Sequence, residues 1–368
     1  MIIDTAVADY AKGLLRVPSE IITVSQETID REAAELNEFL SSSYCPLIFH
    51  GLYARRFPGD TQQVAPCCLA KPSQRFSGHD DLMSNRHLEN IRNDVRNNQK
   101  PEACEHCWEN ESYGGYSPRA IAIDKYKAKN LPVTLQQSEL NKDKCYSIDY
   151  NTLPICNAKC VICSSKYSSL WAADEGIKII AGDELKYDHL LGTDLDDVQS
   201  IYFNGGEPLL TGEHLTLLKK IKDLSNVDIS YNTNGSCYPS AETLSLWDQA
   251  KSVQIFFSID GIGKRFEETR TPLKWAKVSG VIKKVNLLDG IPISCAYTIG
   301  THNVFDLEDT INWFASLPNF DVTSNFYVHT VYGALSLQQT TPQEKESFKS
   351  ELLKFKDFDW YNEIVNSF

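Results

Sequence analysis

Short apolar runs alternate with amphipathic stretches along the second part of the chain. Six β-rich runs are predicted as strands, at 145–151, 198–205, 227–235, 253–261, 292–300 and 322–329. Helical spacing of apolar residues predicts helices near 166–180, 212–224, 240–250, 273–288, 305–316 and 342–355. The strand runs are nearly continuous in apolar residues, which is typical of strands covered on both faces. A strand followed by a helix, six times over, predicts parallel strands with helices outside them.

The residues at the ends of these strands indicate the kind of sheet. Each of the first five predicted strands ends in Asn, Gly, Asp or Thr. In barrels of parallel strands, the active site lies at the carboxyl ends of the strands. An open sheet fits the order of elements equally well, but the polar strand ends favour a barrel. The sequence therefore predicts an α/β protein with a partial (β/α)6 barrel of the TIM type.

The first third of the chain has a different pattern. Residues 26–42 have apolar positions at helical spacing, whereas 45–119 show no sustained period apart from a helical piece around 84–97. This stretch is rich in Cys, Pro, Gly and Asn, and a segment without its own core often needs a metal to fold. We predict an N-terminal region at 1–134, a polar linker at 135–144, a barrel at 145–340 and a C-terminal helical cap at 341–368.

Composition and charge narrow the class of protein. The 368 residues are 42% hydrophobic and 23% charged, which is an ordinary globular balance. No apolar run approaches the ~20 residues of a membrane helix, and the start lacks the basic and apolar blocks of a signal peptide. We therefore expect a cytoplasmic protein with no membrane partner. The net charge of −13 disfavours nucleic acid as a partner, because such binding depends on Lys and Arg at phosphates.

Eleven cysteines give the strongest chemical signal. In a reducing compartment, clustered cysteines indicate metal or redox chemistry rather than disulfides. The tightest group is Cys156-Asn-Ala-Lys-Cys160-Val-Ile-Cys163, in the loop after the first predicted barrel strand. Three such thiolates can ligate three irons of a 4Fe–4S cluster and leave the fourth iron open. Structural zinc is the alternative, but it needs a fourth ligand, and Cys145 lies about 11 residues upstream.

This cysteine spacing resembles the hallmark of the radical S-adenosylmethionine superfamily, where it follows the first strand of a partial barrel. A second motif, Asn-Gly-Gly-Glu-Pro at 204–208, resembles the GGEP motif of that family. The resemblance implies that the methionyl ammonium of the cofactor binds at Gly205, Gly206, Glu207 and Pro208. Ile162 stands where the family usually has an aromatic residue near the adenine, and a branched aliphatic side chain can cover one face of the base.

Two further strand ends and one arginine resemble positions of the same family. Asn-Thr-Asn-Gly at 232–235 and Ser-Ile-Asp-Gly at 258–261 are also common turn sequences. In the family, such side chains face the ribose and the methionyl carboxylate, and an arginine after the fourth strand pairs with that carboxylate. The resemblance implies cofactor-binding roles for Asn232, Asn234, Ser258, Asp260 and Arg270.

The reaction that the resemblance implies is the reductive cleavage of S-adenosylmethionine at a 4Fe–4S cluster. This cleavage gives methionine and a 5′-deoxyadenosyl radical, which abstracts hydrogen from a substrate. The electron comes from a donor such as flavodoxin or ferredoxin. The same chemistry on a small molecule or a nucleotide is one alternative, and a non-catalytic zinc-binding scaffold is an alternative of another class.

The N-terminal cysteines form a second candidate metal site. Cys45 precedes a proline, Cys67 and Cys68 follow one, and Cys104-Glu-His-Cys107 lies further on. Four thiolates are enough for zinc or for a second 4Fe–4S cluster, and the residues alone do not separate the two.

With the trailing Glu111 and the Ser-Pro-Arg at 117–119, this pattern resembles the twitch domain, an auxiliary-cluster module related to the SPASM domain. The resemblance to the superfamily thus extends from about residue 40 to 330. It implies an auxiliary 4Fe–4S cluster on Cys45, Cys67, Cys104 and Cys107, with Cys67 favoured over Cys68. Because SPASM and twitch relatives often modify peptides or proteins, it also implies a peptide or protein substrate.

Overall fold

A computed structural model describes residues 42–57, 61–76, 81–112, 117–177, 179, 193–331 and 333–368. The helix predicted at 26–42 lies outside them except for its last residue. The described residues fall into two compact units. The first is drawn from Met1–Tyr53, Gln63–Gln74 and Asp81–Cys145, and the second from Ala54–Gln62, Arg75–Asp80 and Tyr146–Phe368. The predicted limits at 134, 144 and 340 stay predictions.

The first part of the chain is more regular than the sequence predicts. It forms α1 (Pro46–His50), β1 (Gly51–Phe57), β2 (Thr61–Ala65), α2 (Arg86–Arg96), α3 (Glu105–Ser112), α4 (Pro118–Ala128) and α5 (Leu135–Glu139). Short 3-10 helices lie at Leu82–Ser84 and Glu102–Cys104. The prediction of a single helix between 45 and 119 is wrong. The predicted linker at 135–144 also contains a helix, α5.

Local caps and a small core explain these helices. Ser117 caps α4 by accepting a hydrogen bond from the Ala120 amide, and a proline takes the first helical position. The core of the first unit comprises Tyr44, Cys45, Ile48, Phe49, Ile91 and Val95. The prediction that this region lacks its own core is therefore wrong. Helices of two or three turns are too short to give a sustained period in sequence, and this is why the pattern missed them.

The second unit alternates strands and helices as predicted. Its strands are β3 (Ser147–Asn151), β4 (Lys159–Cys160), β5 (Ser200–Asn204), β6 (Asp228–Thr233), β7 (Ser252–Ser258), β8 (Arg270–Thr271), β9 (Ile293–Ile299) and β10 (Phe326–Thr330). Its helices are α6 (Ser169–Asp174), α7 (Glu213–Leu218), α8 (Ala241–Trp247), α9 (Gly263–Thr269), α10 (Trp275–Val285), α11 (Leu307–Ala315), α12 (Val322–Asn325), α13 (Pro342–Leu352) and α14 (Tyr361–Asn366). Further 3-10 helices lie at Leu224–Asn226, Val304–Asp306, Gly333–Leu335, Leu337–Gln339 and Leu353–Phe355.

The central sheet has eight strands in the order β10-β9-β7-β6-β5-β3-β1-β2. Strands β3, β5, β6, β7, β9 and β10 pair in parallel and follow one another in chain order. Doubly wound sheets reverse their strand order at a switch point, whereas barrels do not. The predicted α/β class and partial-barrel architecture are therefore confirmed. The start of the last predicted strand is wrong, because 322–325 forms α12 instead.

The two faces of the parallel strands differ in polarity. On β5, β6 and β7, buried apolar residues alternate with half-buried ones. Residues in register across neighbouring strands share a face, and the half-buried face is mostly polar. Its members include Asp149, Tyr202, Asn204, Ser230, Asn232, Gln254, Phe256, Ser258, Ala296, Thr298 and Tyr327. The strands are therefore buried on one face and partly covered, by mostly polar side chains, on the other.

The C-terminal residues pack on the edge of this sheet. Helix α14 contacts β10, which is the last strand of the sheet. The lone cysteines Cys145 and Cys295 are buried, as predicted. Across the residues that the structure describes, every helix is too short or too polar to span a bilayer.

Two buried histidines make the stability of the fold depend on pH. Burial lowers the pKa of His50 and of His214 from 6.5 to about 4. The Nδ1 of His50 lies 2.9 Å from the Lys144 carbonyl, and His214 packs edge-on against Phe203 and Tyr231. The unfolded state thus binds more protons than the native state below pH 6.5. Stability is complete above that pH and falls as the pH drops towards 4.

We expect the free energy of unfolding to fall by about 2 kcal/mol for each of these histidines when the pH drops from about 7.5 to about 5. Urea unfolding at both pH values measures this loss. In His214→Gln the loss between the two pH values should shrink by the contribution of one histidine. His106→Gln, at an exposed position on α3, is the matched control and should keep the full loss. An equal loss in His214→Gln and wild type would contradict the prediction.

Candidate active site

The three clustered cysteines lie in the loop after β3. Cys156 and Cys160 are buried, and Cys163 is half-buried. Ser169, in the first turn of α6, accepts a hydrogen bond from the Cys156 amide at 3.1 Å and donates one to the Cys156 carbonyl at 2.9 Å. The indole of Trp171 donates to the Cys160 carbonyl at 3.0 Å. Helix α6 therefore holds the backbone of the cysteine loop.

The three thiols lie in surroundings that oppose a free thiolate. Burial raises the pKa of Cys156 to about 12, and the charges of Cys160 and Cys163 raise it further. Burial also raises the pKa of Cys160 and Cys163. Metal ligation requires deprotonated thiols, so a bound cationic centre would supply the charge compensation that these thiols need.

A buried ion pair lies beside Cys160. Strand β8 pairs Arg270 with Cys160 across an antiparallel bridge. The Arg270 guanidinium donates to Asp260 Oδ2 at 2.5 Å and approaches Cys160 Sγ to 3.5 Å. Asp260 Oδ1 accepts from the Thr298 amide at 2.9 Å. Burial works against the charge of Arg270, but the charges of Asp260 and Cys160 outweigh it and raise its pKa. Its Nε is buried without a hydrogen-bond partner among the described residues.

The Gly-Gly-Glu-Pro segment after β5 packs against the chain that leads into the cysteine loop. Gly205 has a φ of +116°, and a Cβ there would lie 2.6 Å from the Thr152 nitrogen. A Cβ on Gly206 would collide with the Ile155 backbone. The Glu207 amide donates to the Ile155 carbonyl at 2.9 Å. The glycines thus allow a close backbone approach, while their predicted contact with a ligand stays a prediction.

Glu207 is a buried carboxylate with three donors. It accepts from the Thr233 hydroxyl at 2.7 Å, the Asn234 amide at 2.7 Å and the Leu209 amide at 3.2 Å. Burial raises its pKa, and these hydrogen bonds oppose the rise. Glu207 therefore joins the end of β6 to the segment after β5, and Pro208 beside it is also buried.

Asn234 links this network to the cysteines. Its Nδ2 donates to the Asn157 side chain at 3.0 Å and approaches Cys156 Sγ to 3.7 Å. The Asn157 amide in turn donates to the Ser236 hydroxyl at 2.9 Å. Asn157 was not predicted from the sequence, although its place directly after Cys156 was a usable signal. Glu213 was not predicted either, because it looks like an ordinary acidic residue at a helix start. Its buried carboxylate accepts from the Leu153 amide at 2.9 Å.

The remaining predicted residues lie near the carboxyl ends of strands. Asn232 and Ser258 lie on the polar face of β6 and β7, and among the described residues neither side chain has a hydrogen-bond partner. Ile162 is half-buried in the cysteine loop. The residues predicted to bind the first cluster and the cofactor thus all lie on the cysteine loop, at the ends of β5, β6 and β7, or on β8.

The four other predicted cysteines line one cavity in the first unit. The walls of this cavity include Cys45, Cys67, Cys104 and Cys107. Burial raises the pKa of Cys45 well above its usual value, and the charges of Cys67 and Cys104 add to this. Among the described residues, no three His, Cys, Asp or Glu side chains converge tightly enough to share one metal ion. Cys68 is exposed and does not line the cavity.

A second buried ion pair borders this cavity. The Arg119 guanidinium donates to both carboxylate oxygens of Glu111, at 2.9 and 2.8 Å. The Ser117 hydroxyl donates to the same carboxylate at 2.5 Å. Arg119 also donates to the Tyr44 carbonyl at 2.8 Å, directly before Cys45. The glutamate and the Ser-Pro-Arg that trail the last two N-terminal cysteines thus fix the backbone around the cavity.

No family model and no curated protein matches this chain, whereas 26 chains of solved structures do. The anaerobic sulfatase-maturating radical SAM enzyme anSMEcpe, with bound AdoMet, is 20% identical with a TM-score of 0.41. The match covers 60% of this chain and 59% of that one, which is less than two thirds of its length.

SuiB of Streptococcus suis, a SPASM-domain radical SAM protein bound to S-adenosylmethionine, is 13% identical with a TM-score of 0.34, over 83% of this chain and 67% of that one. SuiB bound to the precursor peptide SuiA is 14% identical with a TM-score of 0.35, over 83% and 68%. These neighbours belong to the superfamily that the cysteine spacing resembles.

Removing one partner of the buried pair beside Cys160 should be costly. Arg270→Gln leaves Asp260 buried without a cation, so we expect a loss of about 3–5 kcal/mol in unfolding free energy. Urea unfolding of the reduced, metal-free protein measures it. Arg265→Gln is the matched control, because it breaks a half-exposed pair with Asp306 and should cost less than about 1 kcal/mol. The double variant Asp260→Asn/Arg270→Gln should recover part of the loss. A single Arg270→Gln that costs no more than the control would contradict this reading of the pair.

Proposed function

We propose that the chain is a radical S-adenosylmethionine enzyme that cleaves the cofactor reductively and abstracts hydrogen from a peptide or protein. The observation that carries the proposal is the meeting of the Cys156, Cys160 and Cys163 loop with two buried networks. One is the Asp260–Arg270 pair, and the other joins Glu207 to Asn234. Both lie at the carboxyl ends of parallel strands, where ligands bind in such folds.

The residues fit an iron–sulfur cluster with an open coordination position. Three thiols from one loop provide three ligands, and the cysteines are buried or half-buried away from water. Bound by these thiolates, a 4Fe–4S cluster would supply the electron that breaks a carbon–sulfur bond of S-adenosylmethionine. The positive charge of Arg270 beside Cys160 favours the deprotonated ligand.

Groups near the loop suit the polar ends of the cofactor. The side chains of Asn232 and Ser258 have no partner among the described residues and can hydrogen-bond a ribose or a carboxylate. The buried Nε of Arg270 is a further unused donor. The Glu207 carboxylate is held by three donors, so it is positioned before any ligand arrives.

The four-cysteine cavity supports an auxiliary cluster. The thiols of Cys45, Cys67, Cys104 and Cys107 line one cavity, and four thiolates are enough ligands for a 4Fe–4S cluster. Zinc would use the same four thiolates, so metal analysis separates the two. A peptide or protein substrate rests on the resemblance of this region to the twitch domain. The half-buried face of the sheet is mostly polar, and polar side chains of this kind can hydrogen-bond peptide amides.

The proposal is tested by cofactor cleavage without oxygen. Protein reconstituted with iron and sulfide should form 5′-deoxyadenosine from S-adenosylmethionine after reduction with dithionite. Alanine at Cys156, Cys160 or Cys163 should abolish this product, since each substitution removes an iron ligand. Cys237→Ala, at a half-buried cysteine after β6, is the control and should keep it. A colourless wild-type protein that holds zinc and forms no product would establish the scaffold alternative instead.

Neighbouring cysteines provide a sharp test of the second site. Wild-type protein should hold about eight irons, for two 4Fe–4S clusters. Cys67→Ser should hold about four and still cleave S-adenosylmethionine. Cys68→Ser, at the exposed neighbour, should keep about eight. Iron and zinc analysis of the three proteins shows which metal the second site holds and which cysteine binds it. Four irons with one zinc in wild type would establish a zinc site, and a loss confined to Cys68→Ser would show that the ligand assignment is wrong.

A further inference from the structure

Two arginines of the second unit stack on a pair of aromatic rings. The Arg55 guanidinium carbon lies 4.3 Å from the Tyr167 ring centroid and 4.8 Å from that of Phe57. The Arg75 guanidinium carbon lies 3.7 Å from the same Phe57 centroid. Phe57 is itself buried at the end of β1. Ring stacking covers the flat faces of a guanidinium and leaves its N–H edges available.

Among the described residues, most of these N–H edges have no hydrogen-bond partner. Arg55 Nη2 donates to the Lys166 carbonyl at 3.1 Å. In the part of the chain that the structure describes, neither Arg55 nor Arg75 forms an ion pair, although the chain carries 49 acidic residues. By contrast, the buried guanidiniums of Arg119 and Arg270 are both bound to carboxylates. The rings therefore position Arg55 and Arg75 while most of their N–H donors have no partner among the described residues, as recognition of a carboxylate requires.

One member of this group, Tyr167, lies on the same loop as the candidate iron ligands, whereas Arg55 and Phe57 lie on β1. Tyr167 follows Cys163 by a few residues, and its amide donates to the Ser164 carbonyl at 3.0 Å. The chain between Cys163 and Tyr167 spans at most ~14 Å even when fully extended. An extended peptide of a few residues is long enough to contact Tyr167 and the cysteine loop together.

We propose that Arg55 and Arg75 bind a side-chain carboxylate of the peptide substrate, which places that substrate beside the cysteine loop. The inference rests on the proposed function, because it takes the bound peptide to be the substrate. It assigns that substrate to the class of acidic peptides. The net charge of −13 repels acidic peptides at long range, so binding of one requires a local cationic site. Two pre-oriented guanidiniums supply that site.

Fluorescence anisotropy on the reconstituted, oxygen-free full chain tests the proposal. The probes are fluorescein-labelled octaglutamate and octaglutamine, both with blocked ends, plus octaglutamine with a free C-terminal carboxylate. We expect octaglutamate to bind at least tenfold more tightly than blocked octaglutamine. Arg55→Gln/Arg75→Gln should remove this preference. Arg86→Gln, at an exposed arginine at the start of α2, is the control and should retain it.

Several outcomes would overturn the proposal. Equal binding of the two blocked peptides to wild type would do so, and this result does not depend on any variant folding. Unchanged octaglutamate binding by the folded double glutamine variant, checked by circular dichroism, would do so as well. If free-ended octaglutamine binds as tightly as octaglutamate, the site takes a chain terminus and the side-chain assignment is wrong.

A second variant tests whether the planar shape of the guanidinium matters in addition to its charge. Arg55→Lys/Arg75→Lys keeps both charges but loses the planar fork, so it should bind octaglutamate more weakly than wild type. Full binding by this variant would contradict a site built on stacked guanidiniums. Formation of 5′-deoxyadenosine by wild type is measured in parallel. If no 5′-deoxyadenosine forms, the proposed function is wrong and the bound peptide is not a substrate. The anisotropy measurement tests carboxylate binding independently of that result.

Discussion

The buried pair of Asp260 and Arg270 is the interaction on which the candidate site most depends. Asp260 lies just after β7 and accepts from the Thr298 amide of β9, while Arg270 in β8 pairs with Cys160 in β4. The pair therefore connects two strands of the parallel sheet to the cysteine loop. Neither charge is stable in this setting alone, because an isolated buried ion costs several kcal/mol. The position of Cys160 is thus tied to the end of the sheet by an electrostatic requirement.

In both cysteine groups, burial opposes the thiolate form, and a buried arginine–carboxylate pair lies beside the cysteines. Burial raises the pKa of thiols in both, which disfavours the thiolates that metal binding needs. In each group a buried arginine, neutralised by one carboxylate, lies beside the cysteines: Arg270 with Asp260, and Arg119 with Glu111. Such a pair fixes the backbone and offers partial positive charge without adding net charge to the interior. The local chemistry of each unit is therefore arranged around its cysteines.

The sequence allowed the barrel and the cysteine loop to be predicted because both depend on short-range pattern. Strand and helix periods follow from local packing, and three cysteines within eight residues lie together in any loop conformation. The residues that hold the loop could not be predicted in this way. Glu213 lies far from the cysteines in the chain, and Ser169 has no distinctive neighbours in the sequence. The small core of the first unit was missed for a related reason. Its helices are short, and its apolar residues meet only in three dimensions.

The two faces of the parallel strands differ in burial and in polarity. On β5, β6 and β7 one face is buried and apolar, and the other is half-buried and mostly polar. The runs looked continuous because Tyr202 and Phe256 stand among polar residues on that face, and their rings lie 6.4 Å apart in an edge contact. Aromatic residues count as apolar in a pattern, yet their edges and the tyrosine hydroxyl suit a mixed surface. The alternation therefore separates a buried apolar face, which holds the fold together, from a half-buried face that carries most of the polar side chains.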